Sequence, residues 1–165
     1  MCQAIALHFA GNGVEVVIAP AIGGVILSQW TAHHLSAITG QEVLGVYAEK
    51  AQSDETFLIK RGYDQLIAGK KVLVVEDVLT TGGSARKVVE VTRALGGDIV
   101  GLGVLCNRGG ITPPEVANPP KLFALTNIAL DVYEETNCPL CAQGAPINTD
   151  MGKGREFLAC LLKLG

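Results

Sequence analysis

At 165 residues, with 48% of positions hydrophobic and 18% charged, the chain is long enough to bury the core of one domain, expected to span 1–165. Its formal net charge of −3 argues against a general nucleic-acid binder, which carries a basic face or stripe. No stretch approaches the roughly 18 apolar residues of a membrane helix, and the start MCQAIALHF lacks the basic region of a signal peptide, so a soluble, cytoplasmic protein with no membrane or nucleic-acid partner is expected.

The opening CQAIALHFA has apolar residues on helical spacing, and GNG after it is a turn. VEVVIA reads as a buried strand, PAIGG as a loop, and VILSQWTAHHLSAI as a helix ended by Gly40. EVLGVYA is a second strand. Polarity then rises through EKAQSDE, a candidate mobile loop, before TFLIK returns as a short strand. VLVVEDV precedes the helical pattern ARKVVEVTRAL, and DIVGLGVLCN is a further strand that leads to Arg108. The proline-rich ITPPEVANPP is expected to be irregular, KLFALTNI to be the last strand, and GREFLACLLKL to be a closing helix. Strands alternating with helices predict a doubly wound α/β fold with a mainly parallel sheet, whose ligands bind beyond the carboxyl ends of the strands.

The stretch VLVVEDVLTTGGS carries the chemistry. Val72, Leu73, Val74 and Val75 show no alternation, as in a strand covered on both faces, and Glu76 and Asp77 sit where that strand emerges. Thr80, Thr81, Gly82, Gly83 and Ser84 then turn into a helix, aiming hydroxyls and backbone N–H groups together as a phosphate cradle. A Walker loop would need G-x-x-x-x-G-K-[ST], which does not occur, and Gly101 and Gly103 lack the third glycine of a dinucleotide fingerprint. An acid pair directly before a phosphate turn suits a ligand with a diol and a phosphate close together. A ribose 5-phosphate fits, its 2- and 3-hydroxyls donating to Glu76 and Asp77 while Thr80 to Ser84 wrap the phosphate.

This stretch resembles the phosphoribosyl pyrophosphate (PRPP) motif of type I phosphoribosyltransferases. VIAPAIGGVIL, VYAEK, LIKRGY and CPLCAQGAPIN are each similar to segments of bacterial orotate phosphoribosyltransferases, in the same order. The resemblance implies PRPP binding by Glu76, Asp77, Val78, Leu79, Thr80, Thr81, Gly82, Gly83 and Ser84, and transfer of the phosphoribosyl group to a nucleobase, orotate being favoured. It implies a pyrophosphate loop at Ala21, Ile22, Gly23 and Gly24, often with a non-proline cis peptide. The glycines make physical sense there, because a backbone approaching a bulky anion cannot carry side chains. Lys50, in the loop after VYAEK, is the implied catalytic cation beside Asp77, with Lys60 and Arg61 as alternatives; acids Asp54 and Glu55 dilute the charge of this loop. Arg108 and Thr81 are the implied base contacts, a guanidinium being able to grip a carboxylate or ring carbonyls bidentately. Mg²⁺ is the implied cofactor, carried mainly by PRPP rather than by direct protein ligands, and the implied assembly is a homodimer whose loop lysine serves the neighbouring site.

In the resembling enzymes a hood ahead of the helix that here begins near Cys2 supplies aromatic and lysine contacts to orotate, and the sequence shows no counterpart. Either the chain is a truncated version, or it makes the PRPP half of the site with its base specificity altered or lost. A PRPP- or nucleotide-binding regulatory module, or a phosphoribosyltransferase for another base, stays open beside the orotate enzyme. Cys138 and Cys141 have the spacing of half a zinc site but lack a second pair, so packing thiols are expected unless a dimer unites two pairs. The five cysteines read as reduced, and His33 and His34 as helix packing rather than catalysis.

Overall fold

The unbroken apolar runs are strands because each is covered on both sides. In the computed structural model, which describes residues 1–51, 56–131, 133, 135–150 and 154–161, a six-stranded sheet has the order β3-β2-β1-β4-β5-β6. The strands are β1 (Val16–Pro20), β2 (Leu44–Lys50), β3 (Phe57–Leu58), β4 (Lys71–Leu79), β5 (Asp98–Asn107) and β6 (Leu122–Asn127). All neighbours pair in parallel except β3, which runs antiparallel to β2. The doubly wound α/β class expected from the alternation of elements is the one observed.

Alternation along the strands sorts side chains to two cores. Val16, Ile18, Val72 and Val74 join Ala85, Val88 and Val89 of helix α3 (Gly83–Ala94) on one face. Val17, Ala19, Leu73 and Val75 join Ile5 and Phe9 of α1 (Cys2–Phe9), and Leu27 and Leu35 of α2 (Gly24–Thr39), on the other. Gly101 and Gly103 belong to this second face. A Cβ on Gly101 would run into the Phe9 ring, and one on Gly103 would stand 2.7 Å from Ile5 Cγ2. These glycines let α1 lie close on β5; they are packing residues with no phosphate to bind.

Three boundaries differ from the sequence reading. β4 continues past the acid pair to Leu79, because Val78 and Leu79 still pair with Cys106 and Asn107 of β5. Helix α3 starts at Gly83, so the tail of the expected phosphate turn is already helical. The segment expected to be irregular contains a 3₁₀ turn, Pro113–Val116, closed by a capping box between Thr112 and Glu115. Proline is tolerated at the first position of such a turn, where no N–H is required.

The described residues fall into two compact units, Met1–Leu130 and Asp131–Gly165. The first holds the sheet and α1 to α3. The second contains a 3₁₀ turn (Glu135–Asn137), the short helix α4 (Pro139–Ala142), which the sequence reading did not separate, and the expected closing helix α5 (Gly154–Leu161).

Candidate functional site

Four adjacent parallel strands deliver the sequence candidates to one edge of the sheet. In the order β2, β1, β4, β5, their carboxyl ends carry Lys50, then Ala21 to Gly24, then Glu76 to Ser84, then Arg108. Three strand spacings separate the outer two, about 14 Å. The chain reverses its direction of travel across the sheet between β1 and β4, and a crevice opens at such a switch point. The glycine loop and the acid pair flank it.

Asp77 is half-buried, and its carboxylate faces that loop: a Cβ on Gly23 would stand 2.7 Å from Asp77 Oδ2. The other oxygen, Oδ1, accepts the Val78 N–H at 2.7 Å. Glu76 is only 7% exposed and accepts the Asp77 N–H at 3.2 Å. Burial, and then a hydrogen bond between the two carboxyl groups, push its pKa up to about 8. At neutral pH Glu76 therefore keeps its proton, and the crevice is less negative than two acids suggest.

A cavity of about 230 Å³ lies over the end of β4 and the start of α3, lined from Glu76 to Ala85. Its turn depends on Gly82, which has φ +75° and whose missing Cβ would stand 2.8 Å from Val116 Cγ1. Thr81 and Ser84 are exposed and Thr80 half-buried around it, at the amino end of α3. Backbone donors and hydroxyls converging at a helix start suit a phosphate. The Leu79 side chain is in the core, so that residue can offer the cavity only its backbone.

Arg108 is tied to the same turn. Its N–H and that of Gly109 both donate to the Leu79 carbonyl, at 2.8 and 3.0 Å, and a Cβ on Gly109 would strike the Thr80 carbonyl. The Arg108 Nε is buried and has no hydrogen-bond partner among the described residues. A buried donor left without an acceptor is costly, which fits a site completed by an oxygen-bearing ligand. Sequence reasoning missed Asn107, whose buried amide donates to the Ile111 carbonyl (2.8 Å) and accepts the Ile111 N–H (2.9 Å), closing the loop that carries Arg108. An amide at a strand's end before Arg-Gly-Gly was the available signal.

On the other side of the crevice, a cleft of about 670 Å³ is lined by Ala21, Ile22, Val25, Tyr47, Glu49, Lys50 and Arg61. The Ala21–Ile22 peptide is cis, as the resemblance implied. Ala21 N–H donates to the Ala48 carbonyl at 2.8 Å, which fixes the loop against β2. Lys50 is exposed at the end of β2. Arg61 Nε donates to Glu49 Oε1 at 2.6 Å, an interaction that raises the guanidinium's pKa, so this alternative cation is already engaged. Lys60 is exposed and outside the cleft lining. Of the loop expected to be mobile, residues 52–55, with Asp54 and Glu55, lie outside the described residues. His33 and His34 pack edge-on or tilted against Trp30 on α2, with ring centroids 5.3 and 6.0 Å away, as expected of helix packing.

The model of the phosphoribosyl transferase domain matches residues 3–135, which hold every one of these site residues. The chain belongs to the phosphoribosyltransferase family. It is 38% identical to an orotate phosphoribosyltransferase of Desulforamulus reducens and 40% identical to one of Pelotomaculum thermopropionicum, each match covering 88% of this chain and 70% of the relative. Among solved structures, Mycobacterium tuberculosis orotate phosphoribosyltransferase in complex with PRPP superposes with a TM-score of 0.56 at 20% identity, over 76% of this chain and 72% of the other. The Giardia lamblia APRTase complexed with 9-deazaadenine gives 0.63 at 17% identity, over 78% of each chain. Structures of enzymes for different bases share the fold, so the fold by itself does not select the acceptor.

Proposed function

We propose that this phosphoribosyltransferase transfers the 5-phosphoribosyl group of PRPP to orotate, giving orotidine 5-monophosphate and pyrophosphate. The observation that carries the reading is the alignment of four candidates on four consecutive strand ends, at a span suited to pyrophosphate, ribose phosphate and base in a row. Orotate is favoured by the relatives' identity and by the buried Arg108 Nε, which has no hydrogen-bond partner among the described residues and is a donor suited to a carboxylate or ring carbonyl.

The reaction breaks the bond between the anomeric carbon and a pyrophosphate oxygen while a ring nitrogen of the base takes that carbon. Negative charge gathers on the leaving group. Lys50 and the backbone of Ala21 to Gly24 face it from the cleft side, and Asp77 with Glu76 accepts hydrogen bonds from the ribose hydroxyls and stabilises the positive charge that develops on the ring. Thr80 to Ser84 hold the 5-phosphate throughout. The hard carboxylate oxygens against a glycine loop with no room for a Cβ fit Mg²⁺ bound chiefly through substrate oxygens, and when bound it would neutralise pyrophosphate charge.

The proposal includes a homodimer through the outer face of α2. Ile22, Ile26 and Trp30 follow one another at four-residue spacing and are 89%, 71% and 52% exposed. Gly24–Thr39 contains no Asp, Glu, Lys or Arg, so the face meets a second copy of itself without like-charge repulsion. Ile22 also lines the Lys50 cleft, so such an interface would bring the two subunits' sites together. The test of function is turnover with PRPP and Mg²⁺ against orotate, uracil and adenine. Product with orotate in large excess over the others is expected; a preference for adenine or uracil would overturn the acceptor assignment, and PRPP binding without turnover on any base would favour a regulatory module.

A further inference from the structure

The second unit carries a pair of thiols that the transfer reaction does not use. Cys138 is the residue before α4, with extended backbone (φ −77°, ψ 114°), and Cys141 lies on the helix's first turn. Residues three apart on one turn are neighbours. The Cys138 sulfur accepts the Cys141 N–H, with 3.4 Å between sulfur and nitrogen, and the Cys141 side chain hydrogen-bonds it as well, so the two thiols are neighbours. Both are reduced, Cys138 half-buried and Cys141 exposed, and both line a cavity of about 580 Å³ shared with Tyr133, Ile147 and Phe157. A small thiol reagent thus has a path to the pair. The Cys141 N–H lowers the Cys138 thiol pKa, which marks Cys138 as the nucleophile. Among the described residues no group of three or more His, Cys, Asp or Glu side chains able to hold a metal occurs, so none of them completes a closed zinc site around the pair.

We propose that Cys138 and Cys141 form a reversible intrachain disulfide, a covalent redox site in the second unit. With a low-molecular-weight disulfide such as oxidised glutathione, the Cys138 thiolate attacks one sulfur and releases one glutathione thiolate. The Cys141 thiolate, its proton lost to solvent, then attacks the Cys138 sulfur of the mixed disulfide and releases the second glutathione. Two electrons pass from the protein dithiol to the glutathione pair. The α4 backbone keeps Cys141 beside the mixed disulfide, so closure competes well against a second glutathione.

The test uses the full chain equilibrated in glutathione buffers, quenched in acid, alkylated and mapped by mass spectrometry. Oxidation should remove the alkylation of Cys138 and Cys141 together, lighten their peptide by about 2 Da, and be reversed by dithiothreitol. Cys141→Ser should instead accumulate glutathione on Cys138, and Cys138→Ser should leave Cys141 slow to react. Stable glutathione adducts on the unaltered chain, linkage of either residue to Cys2 or Cys106, or faster alkylation of Cys141 than of Cys138 would each overturn the proposal. So would stoichiometric zinc on the purified chain that is released by modifying this pair.

Discussion

Glu76 concentrates the physics of the site in one side chain. Raised to about 8, its pKa leaves it protonated at neutral pH in the unliganded chain. For stability the sign is that of any raised group: the contribution is full below the ordinary carboxylate pKa and is lost as pH rises through 8. For binding the sign is opposite, because hydroxyl donors and Mg²⁺ favour the carboxylate. Binding of Mg²⁺ and PRPP at pH 7 should release a proton, visible as a buffer-dependent calorimetric enthalpy, and affinity should rise with pH and level off above 8. Glu76→Gln should abolish that proton release; an unchanged buffer dependence would assign it elsewhere. Gly23→Ala sets a Cβ 2.7 Å from Asp77 Oδ2 and should weaken PRPP binding roughly tenfold, on the order of one lost hydrogen bond. Lys50→Ala should lower kcat by about 10²-fold or more with a smaller change in PRPP affinity, since its charge matters most as pyrophosphate departs. Equal losses in both would make it a ground-state contact. The acids and the hydroxyl turn were legible as candidates because each residue type stands in a short string with its own chemistry, whereas Arg108 was reached through the resemblance. Asn107 was not, since its role arises from a loop closing back on Ile111.

Among the elements, the strands and long helices were readable from apolar runs and from Gly40, which does cap α2 with a left-handed φ of 70°. The end of β4 was not. Charged residues look like a strand's end, yet pairing with β5 carries Glu76 and Asp77 within the strand and makes Glu76 buried. Nor could a single sequence show that Gly101 and Gly103 serve a helix lying across them. Gly101→Ala should destabilise the first unit by about 1–3 kcal/mol, the usual cost of overpacking, read from urea denaturation. In a Phe9→Ala background the same substitution should cost markedly less, because the ring it meets is gone. Additive losses would show that the glycine acts through the strand itself.

For the whole molecule, the order of the strands brings the candidate residues to one edge of the sheet and was not written in any local pattern. The α/β class followed from alternation, but the adjacency of β1 and β4, which sets the glycine loop against the acid pair, comes from long-range pairing. The α2 face adds a prediction at this scale: Trp30→Glu should shift the chain toward monomer by sedimentation and lower turnover while PRPP binding persists. A variant that remains dimeric would move the interface elsewhere. The most direct test of the strand-end site is calorimetric titration of Mg²⁺ and PRPP into the wild-type chain and into Glu76→Gln/Asp77→Asn. Binding to the wild type, weakened at least 10- to 100-fold in the double variant by loss of charge-assisted hydrogen bonds, is the predicted result; equal affinity for both, or no binding to the wild type, would contradict it.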